Sequence, residues 1–204
     1  MPVRAGIFFG AGMQDEKYIL IRYSKYVLDA FRTYVLYDNY GRWFRKQSRD
    51  NLDIYADMLI LERLTECLIS EVYNIMLDSN EKTNTLSLGK LLKRFDSAGV
   101  KTDRTELDAF YEKYDKSLES IKIIRNKYCA HNDFAASMET LERVDEAAHA
   151  IQEGFYEDMF YMLFDLLDNT TELNGYPSLD VRILADENKS AIETSLESRG
   201  MDFY

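Results

Sequence analysis

The chain has 204 residues, a hydrophobic content of 46% and a net charge of −11, which is typical of one globular domain. No apolar run reaches the length of a bilayer span, so we expect no membrane partner, and the acidic balance argues against a general nucleic-acid coat. The first 13 residues have too short an apolar patch for a secretion signal, and we expect a cytoplasmic protein.

The charge is unevenly distributed along the chain. Residues 1–81 have a net charge of −2, and residues 132–204 have a net charge of −13. Residues 82–131 carry 11 basic and 7 acidic side chains, a net charge of +4. This segment could receive an anionic ligand, although solvated helix faces would give the same pattern.

Apolar residues at spacings of three and four predict about five main helices. The fourth opens at the capping pair Asp103 and Glu106 and leads to Arg125. The second has the broadest apolar stripe and is expected to be central. The first helix is predicted from Glu16 to about Tyr37, the second from Leu52 to Leu77, the third from Leu86 to about Phe95, and the fifth from Ser137 to about Leu167.

Turn signals separate these helices, most clearly Asp38-Asn39-Tyr40-Gly41 after the first one. With only two prolines and nine glycines, the sequence predicts an all-α antiparallel bundle over residues 1–170. Residues 171–204 are predicted to be a peripheral C-terminal arm, with a marginal helix from Asp186 to Glu197.

Two other features of the sequence have structural explanations. The basic and aromatic residues from Arg42 to Arg49 could stack a base, but a helix with inward aromatics is favoured. Cys67 and Cys129 are expected to be buried small hydrophobes, and His149 is given no role. Asp and Glu residues lack His or Cys companions at ligand spacings, so we predict no metal and no cofactor.

The stretch from Arg125 to His131 combines a fixed cation with a group that transfers protons near neutral pH. Arg125 falls on the apolar stripe of the fourth helix, so it needs an anionic partner or ligand to offset its desolvation. The alternative is a favourable interaction of both groups with the helix dipole. The stripe consists of Leu107, Tyr111, Tyr114, Leu118, Ile121 and Tyr128.

Helix geometry constrains this pair. Six residues at about 100° each place Arg125 and His131 about 120° apart around a continuous helix. Either the helix loosens near Ala130, or the site is assembled across a two-fold axis. Lys127 and Tyr128 share the face of His131 and are expected to be its first neighbours.

The sequence Arg125-Asn126, followed by four residues and His131, resembles the HEPN superfamily, whose helical domains carry an arginine, four to six residues and a histidine. The Ala130-His131-Asn132 ending is most similar to the abortive-infection AbiU-type branch. The blocks Leu61-Glu62-Arg63-Leu64-Thr65 and Asn84 to Leu92 are also similar to that branch. The resemblance covers about residues 50 to 165.

This resemblance implies a dimeric helical bundle with a metal-independent ribonuclease site of a phage-defence or toxin–antitoxin system. Arg125 and His131 would be catalytic, and Asn126, Lys127 and Tyr128 would support them or bind substrate. The implied partners are an RNA substrate, a second copy of the chain, and an antitoxin or regulatory protein. The content of 15 Tyr and 11 Phe predicts an aromatic-rich dimer interface. The alternative is a non-catalytic HEPN-like domain that binds a nucleotide or a protein partner, which the overall acidity favours.

Overall fold

The computed structural model describes residues 11–46, 54–80, 82, 85–129 and 138–201. These residues form helices and no strand, which confirms the predicted all-α fold, although there are seven α-helices instead of about five. None of the described helices is both long and apolar enough to span a membrane. The helices are α1 (Ala11–Lys46), α2 (Ile54–Val72), α3 (Leu88–Ala98), α4 (Thr105–Ile124), α5 (Met138–Ala150), α6 (Phe155–Leu173) and α7 (Val181–Glu197).

Short π-helical turns extend two of these helices. The first, π-turn 1 (Tyr73–Leu77), continues α2, and the second, π-turn 2 (Arg125–Cys129), continues α4. In such a turn the hydrogen bonds run from residue i to i+5, so the helix is wider than an α-helix. The predicted second helix therefore has the expected length, but its last turn has a different geometry.

The core is built mainly on α1, α4 and α6. The apolar stripe predicted for the first helix is confirmed, since its buried side chains include Leu20, Tyr23, Val27 and Phe31. The Phe31 ring lies 5.4 Å from that of Phe160 and 5.1 Å from that of Phe164, both edge to face. Aromatic side chains thus fill the interior, and among the described ones only Tyr18 and Tyr55 are strongly exposed.

The second predicted helix is not central. Only Leu68, Ile69 and Val72 of α2 are buried, and the first two turns of this helix expose apolar side chains. The central position belongs to α6, which buries ten of its residues. Periodicity identified the apolar side chains of α2, but it could not show that about half of them are exposed in the described structure.

The turn predicted at residues 38–41 was wrong, because α1 continues through it to Lys46. The Asn39 side chain donates to the carbonyl of Val35 at 2.9 Å, as a helical residue does. The Tyr40 hydroxyl donates to Asp57 of α2 at 2.5 Å. Gly41 is buried beside Leu61, so packing against α2 overrides the local turn preference.

The long helix predicted from Ser137 to Leu167 is two helices. It breaks between α5 and α6, where Gly154 has a φ of +78° and Gln152 N–H donates to Ser117 Oγ at 3.0 Å. Just after the break, Asp158 accepts hydrogen bonds from Lys113 Nζ at 2.8 Å and from the Tyr114 hydroxyl at 2.6 Å. These bonds fix the start of α6 against α4. Ser137 itself lies outside the described residues.

The C-terminal segment is more closely attached than a peripheral arm. Its helix α7 starts at Val181, five residues before the predicted start, and packs on α1 and α6. Val181 and Ala185 are buried in the core, and the Asp168 carboxylate accepts the backbone N–H groups of Val181 and Arg182. The domain boundary at residue 170 stays a prediction.

Candidate functional site

The Arg125–His131 motif begins where α4 becomes π-turn 2. The apolar stripe of α4 is confirmed, since Leu107, Tyr114, Leu118 and Ile121 are buried. Arg125 is the next position on it and is half-buried, at the edge of the core. The helix widens into a π-turn at Arg125, and such turns occur frequently at functional sites. Ala130, near which the helix would loosen if one chain formed the site, lies outside the described residues.

The Arg125 guanidinium lies against an aromatic ring. Its Cζ is 4.7 Å from the centroid of the Tyr73 ring, within the range of a cation–π contact. Its Nη1 donates to Asn126 Oδ1 at 3.2 Å. In the described part of the chain it forms no ion pair with a carboxylate. The guanidinium of this half-buried arginine is therefore held in place, and no carboxylate of the described residues neutralises its charge.

The structure describes the other predicted site residues to different extents. Asn126 and Lys127 are exposed beside Arg125, and Tyr128 belongs to the same π-turn. His131 lies outside the described residues, and with it the prediction that Lys127 and Tyr128 are its neighbours. The structure thus brings together Arg125 and Asn126, and their pairing with the histidine stays a prediction.

A groove of about 630 Å³ opens beside the motif, between α1, α2, α5 and α6. Ile124, the residue before Arg125, lies on its wall. Burial, with the nearby carboxylates Asp38 and Glu157, raises the pKa of the Tyr34 hydroxyl, which stays protonated at neutral pH. Among the described residues, the groove is lined by Arg45 and by four acidic residues, Asp38, Glu62, Glu153 and Glu157, of which Asp38 is paired with Arg42. This acidic lining disfavours a nucleic-acid backbone inside the groove.

The basic and aromatic segment after residue 41 is the end of α1 rather than a base-stacking platform. Arg42 pairs with Asp38 at 2.6 Å, and Trp43 packs on Tyr40 with ring centroids 5.3 Å apart. Trp43 and Phe44 are both half-buried. These contacts agree with the favoured interpretation of inward aromatics. Residues 47–49 of the segment lie outside the described part.

The described residues contain no cluster of three or more His, Cys, Asp or Glu side chains that could hold a metal ion. His149 is exposed on α5, and its Nδ1 lies 2.8 Å from the carbonyl of Asp145. The prediction of a buried Cys67 was wrong, because this thiol is exposed on the outer face of α2. Its exposure continues that of Met58, Leu59 and Ile60 earlier in the same helix.

One residue of the site was missed by the sequence reasoning. Tyr73 falls within the predicted second helix, and nothing in its spacing singled it out. Its contact with Arg125 depends on the packing of α2 and its π-turn against the end of α4. No local pattern records such a long-range contact, so the sequence carried no signal for it.

Comparison with known proteins gives one family. The family model of the AbiU2 HEPN domains matches residues 60–189, which is more than half of the chain. The matched range includes π-turn 1, π-turn 2, the groove-lining part of α2 from Leu61 onward, and the first half of α7. No curated protein and no solved structure matches the chain.

Proposed function

Because the chain belongs to the AbiU2 family of HEPN domains, we propose that it is a metal-independent endoribonuclease of an abortive-infection or toxin–antitoxin system. Its catalytic residues are Arg125 and His131, and a second copy of the chain completes the site. The observation that supports this most strongly is the half-buried Arg125 guanidinium, which forms no ion pair among the described residues. An arginine in this state is suited to a phosphate of RNA.

The chemistry of RNA cleavage assigns the roles. The 2′-oxygen attacks the adjacent phosphorus, the bond from phosphorus to the 5′-oxygen breaks, and a 2′,3′-cyclic phosphate forms. His131 of one subunit takes the 2′-OH proton, and His131 of the partner subunit gives a proton to the leaving 5′-oxygen. The guanidinium of Arg125 stabilises the charge that grows on the phosphate oxygens. No metal ion is needed in these steps.

The apolar start of α2 supports the dimer. Among the described residues its apolar side chains are exposed, and Tyr55 is 79% exposed. Leu61 of α2 and Ile124 of α4 line the same groove, which connects the first half of α2 with the helix that carries the motif. We therefore place the second copy on this face, whose apolar side chains are mostly aliphatic rather than aromatic: Tyr55, Met58, Leu59 and Ile60.

The alternative function is a non-catalytic HEPN-like domain that binds a nucleotide or a protein partner. The acidic groove beside the motif favours it, because four carboxylates suit a basic protein segment better than RNA. An antitoxin or regulatory protein with a basic segment would fit the groove in either case. The two functions differ in whether RNA is cut.

The test is cleavage of a mixed RNA pool by the wild type and by His131→Ala, with and without EDTA. We expect cleavage in EDTA by the wild type and none by His131→Ala, because the imidazole transfers the proton. His149→Ala is the matched control, since it removes the other, exposed histidine and should keep full activity. Cleavage by His131→Ala, or its loss on chelation, would contradict the proposal, and the absence of any cleavage would favour the alternative.

A further inference from the structure

Tyr73 and Arg125 are the first residues of the two π-helical turns, and they touch although they lie far apart in the sequence. The distance of 4.7 Å from Arg125 Cζ to the ring centroid is well inside the limit of about 6 Å for a cation–π contact. Tyr73 is half-buried and packs against the hydrophobic core. The ring is therefore held by its packing against the core, and the guanidinium contacts it.

We propose that Tyr73 is a positioning residue that holds the Arg125 guanidinium in the orientation in which it binds a phosphate. This inference rests on the proposed ribonuclease function. A guanidinium has five N–H donors around its edge and none on its face. A ring that contacts the face restrains the side chain and leaves those donors for an anion.

A second arginine in the same protein shows the contrast. Arg182 lies over the Tyr161 ring at 5.0 Å, but its Nη1 also contacts both carboxylate oxygens of Asp165 at 2.7 and 2.9 Å. The carboxylate occupies donors and neutralises the charge of Arg182. The Arg125–Tyr73 pair lacks such a carboxylate in the described part of the chain. Holding by a ring and by the neutral amide of Asn126 preserves the charge and leaves the other donors for a phosphate.

The ring, rather than the hydroxyl, is the part of Tyr73 that acts. Its hydroxyl forms no hydrogen bond to another described residue. Phenylalanine would keep the face of the ring and its attraction for a cation, whereas leucine would keep the apolar volume and lose that attraction. The pair Tyr73→Phe and Tyr73→Leu therefore separates positioning from simple core packing.

The contact can be measured without catalysis. In the NMR spectrum, a ring at this distance shifts the Arg125 Nε–H signal, which Arg125→Lys identifies by its disappearance. We expect Tyr73→Phe to keep this shift and Tyr73→Leu to remove it, with both variants folded by circular dichroism. An Nε–H shift that is unchanged in Tyr73→Leu would overturn the proposal. Titration with a non-cleavable 2′-deoxy oligonucleotide should then give weaker binding for Tyr73→Leu than for Tyr73→Phe.

The role in the reaction is measured on RNA that the wild type cleaves. Tyr73→Leu should lose roughly tenfold in kcat with little change in KM, because a partly desolvated cation–π contact corresponds to about one power of ten. Tyr73→Phe should restore the wild-type kcat, and Tyr161→Leu, which removes the ring under Arg182, should leave it unchanged. Wild-type kcat in Tyr73→Leu would overturn the positioning role while leaving the ribonuclease function standing. If the wild type cleaves no RNA, the proposed function fails, and the Nε–H shift and the titration still decide the positioning.

Discussion

Replacing Arg125 with lysine separates the charge of the motif from its shape. Lysine keeps one positive charge, but it loses the planar set of donors and the extended contact with the Tyr73 ring. It also loses the bond that Nη1 donates to Asn126. If the site needs only a positive potential, Arg125→Lys should remain active. If it needs two fixed contacts to one phosphate, the variant should be severely impaired.

The size of the loss follows from the contacts. One charge-assisted hydrogen bond to the phosphate is worth about 1.5–3 kcal/mol. The weaker ring contact adds about 0.5–1 kcal/mol for a half-exposed cation. The expected loss is therefore about 2–4 kcal/mol of transition-state stabilisation, or roughly 30- to 900-fold in kcat/KM. The bond to Asn126 is not counted, since its partner is solvent-exposed.

The assay is single-turnover cleavage of the most rapidly cut RNA from the pool. Arg182→Lys is the matched control, because it makes the same change in an arginine that also lies over a tyrosine ring, away from the motif on α7. This control should keep the wild-type rate. An Arg125→Lys variant within about threefold of the wild type would refute the two-point contact, since it falls below the smallest loss expected here.

Two further predictions concern the dimer and the fold. Leu59→Asp should raise the dimer dissociation constant roughly a hundredfold or more, because the interface would bury an unpaired carboxylate, whereas Ile183→Asp, at an exposed position on α7, should not. Sedimentation at micromolar concentration measures both, and a wild-type monomer there would count against the composite site. The hydrogen bonds from Lys113 and Tyr114 hold the pKa of the Asp158 carboxyl below its ordinary value, so their stabilisation is complete above the unfolded pKa and is lost as pH falls through the folded pKa. Urea unfolding between about pH 5 and pH 2 should therefore show a smaller loss of stability for Asp158→Asn than for the wild type, and equal losses would contradict the assigned cause.

The sequence predicted those parts of the fold that local periodicity determines. The stripes of α1 and α4 were correct because a side chain that recurs every three to four residues must face the same neighbour. The break before α6 was missed because Ile151 and Phe155 keep the helical spacing across it, although Gly154 has a left-handed φ. At Asn39 the local turn preference was real, but contacts of the adjacent Tyr40 with α2 outweighed it.

The site was predictable only where it lies on one helix. Arg125 could be placed at the edge of a buried face because its spacing from Ile121 is four residues, and it is half-buried. Tyr73 and the groove could not be predicted, since both depend on which helices become neighbours. The exposure of this face of α2 could not be predicted either, because apolar periodicity is the same for a buried and an exposed stripe.

Because of π-turn 2, the core packing of α4 and the direction of the polar residues after Arg125 depend on different parts of the chain. A π-turn is equivalent to an α-helix with one extra residue, and one residue changes the direction of all later side chains by about 100°. Arg125 keeps the phase that α4 sets for the core, whereas Asn126 and Lys127 follow the phase of the wider turn. Removing one residue after Arg125 in this turn would not shift the buried side chains of α4, because they all precede it, and would change the direction of the polar residues that follow. The direction of Arg125 is thus set by α4, and the direction of the polar residues after it is set by π-turn 2.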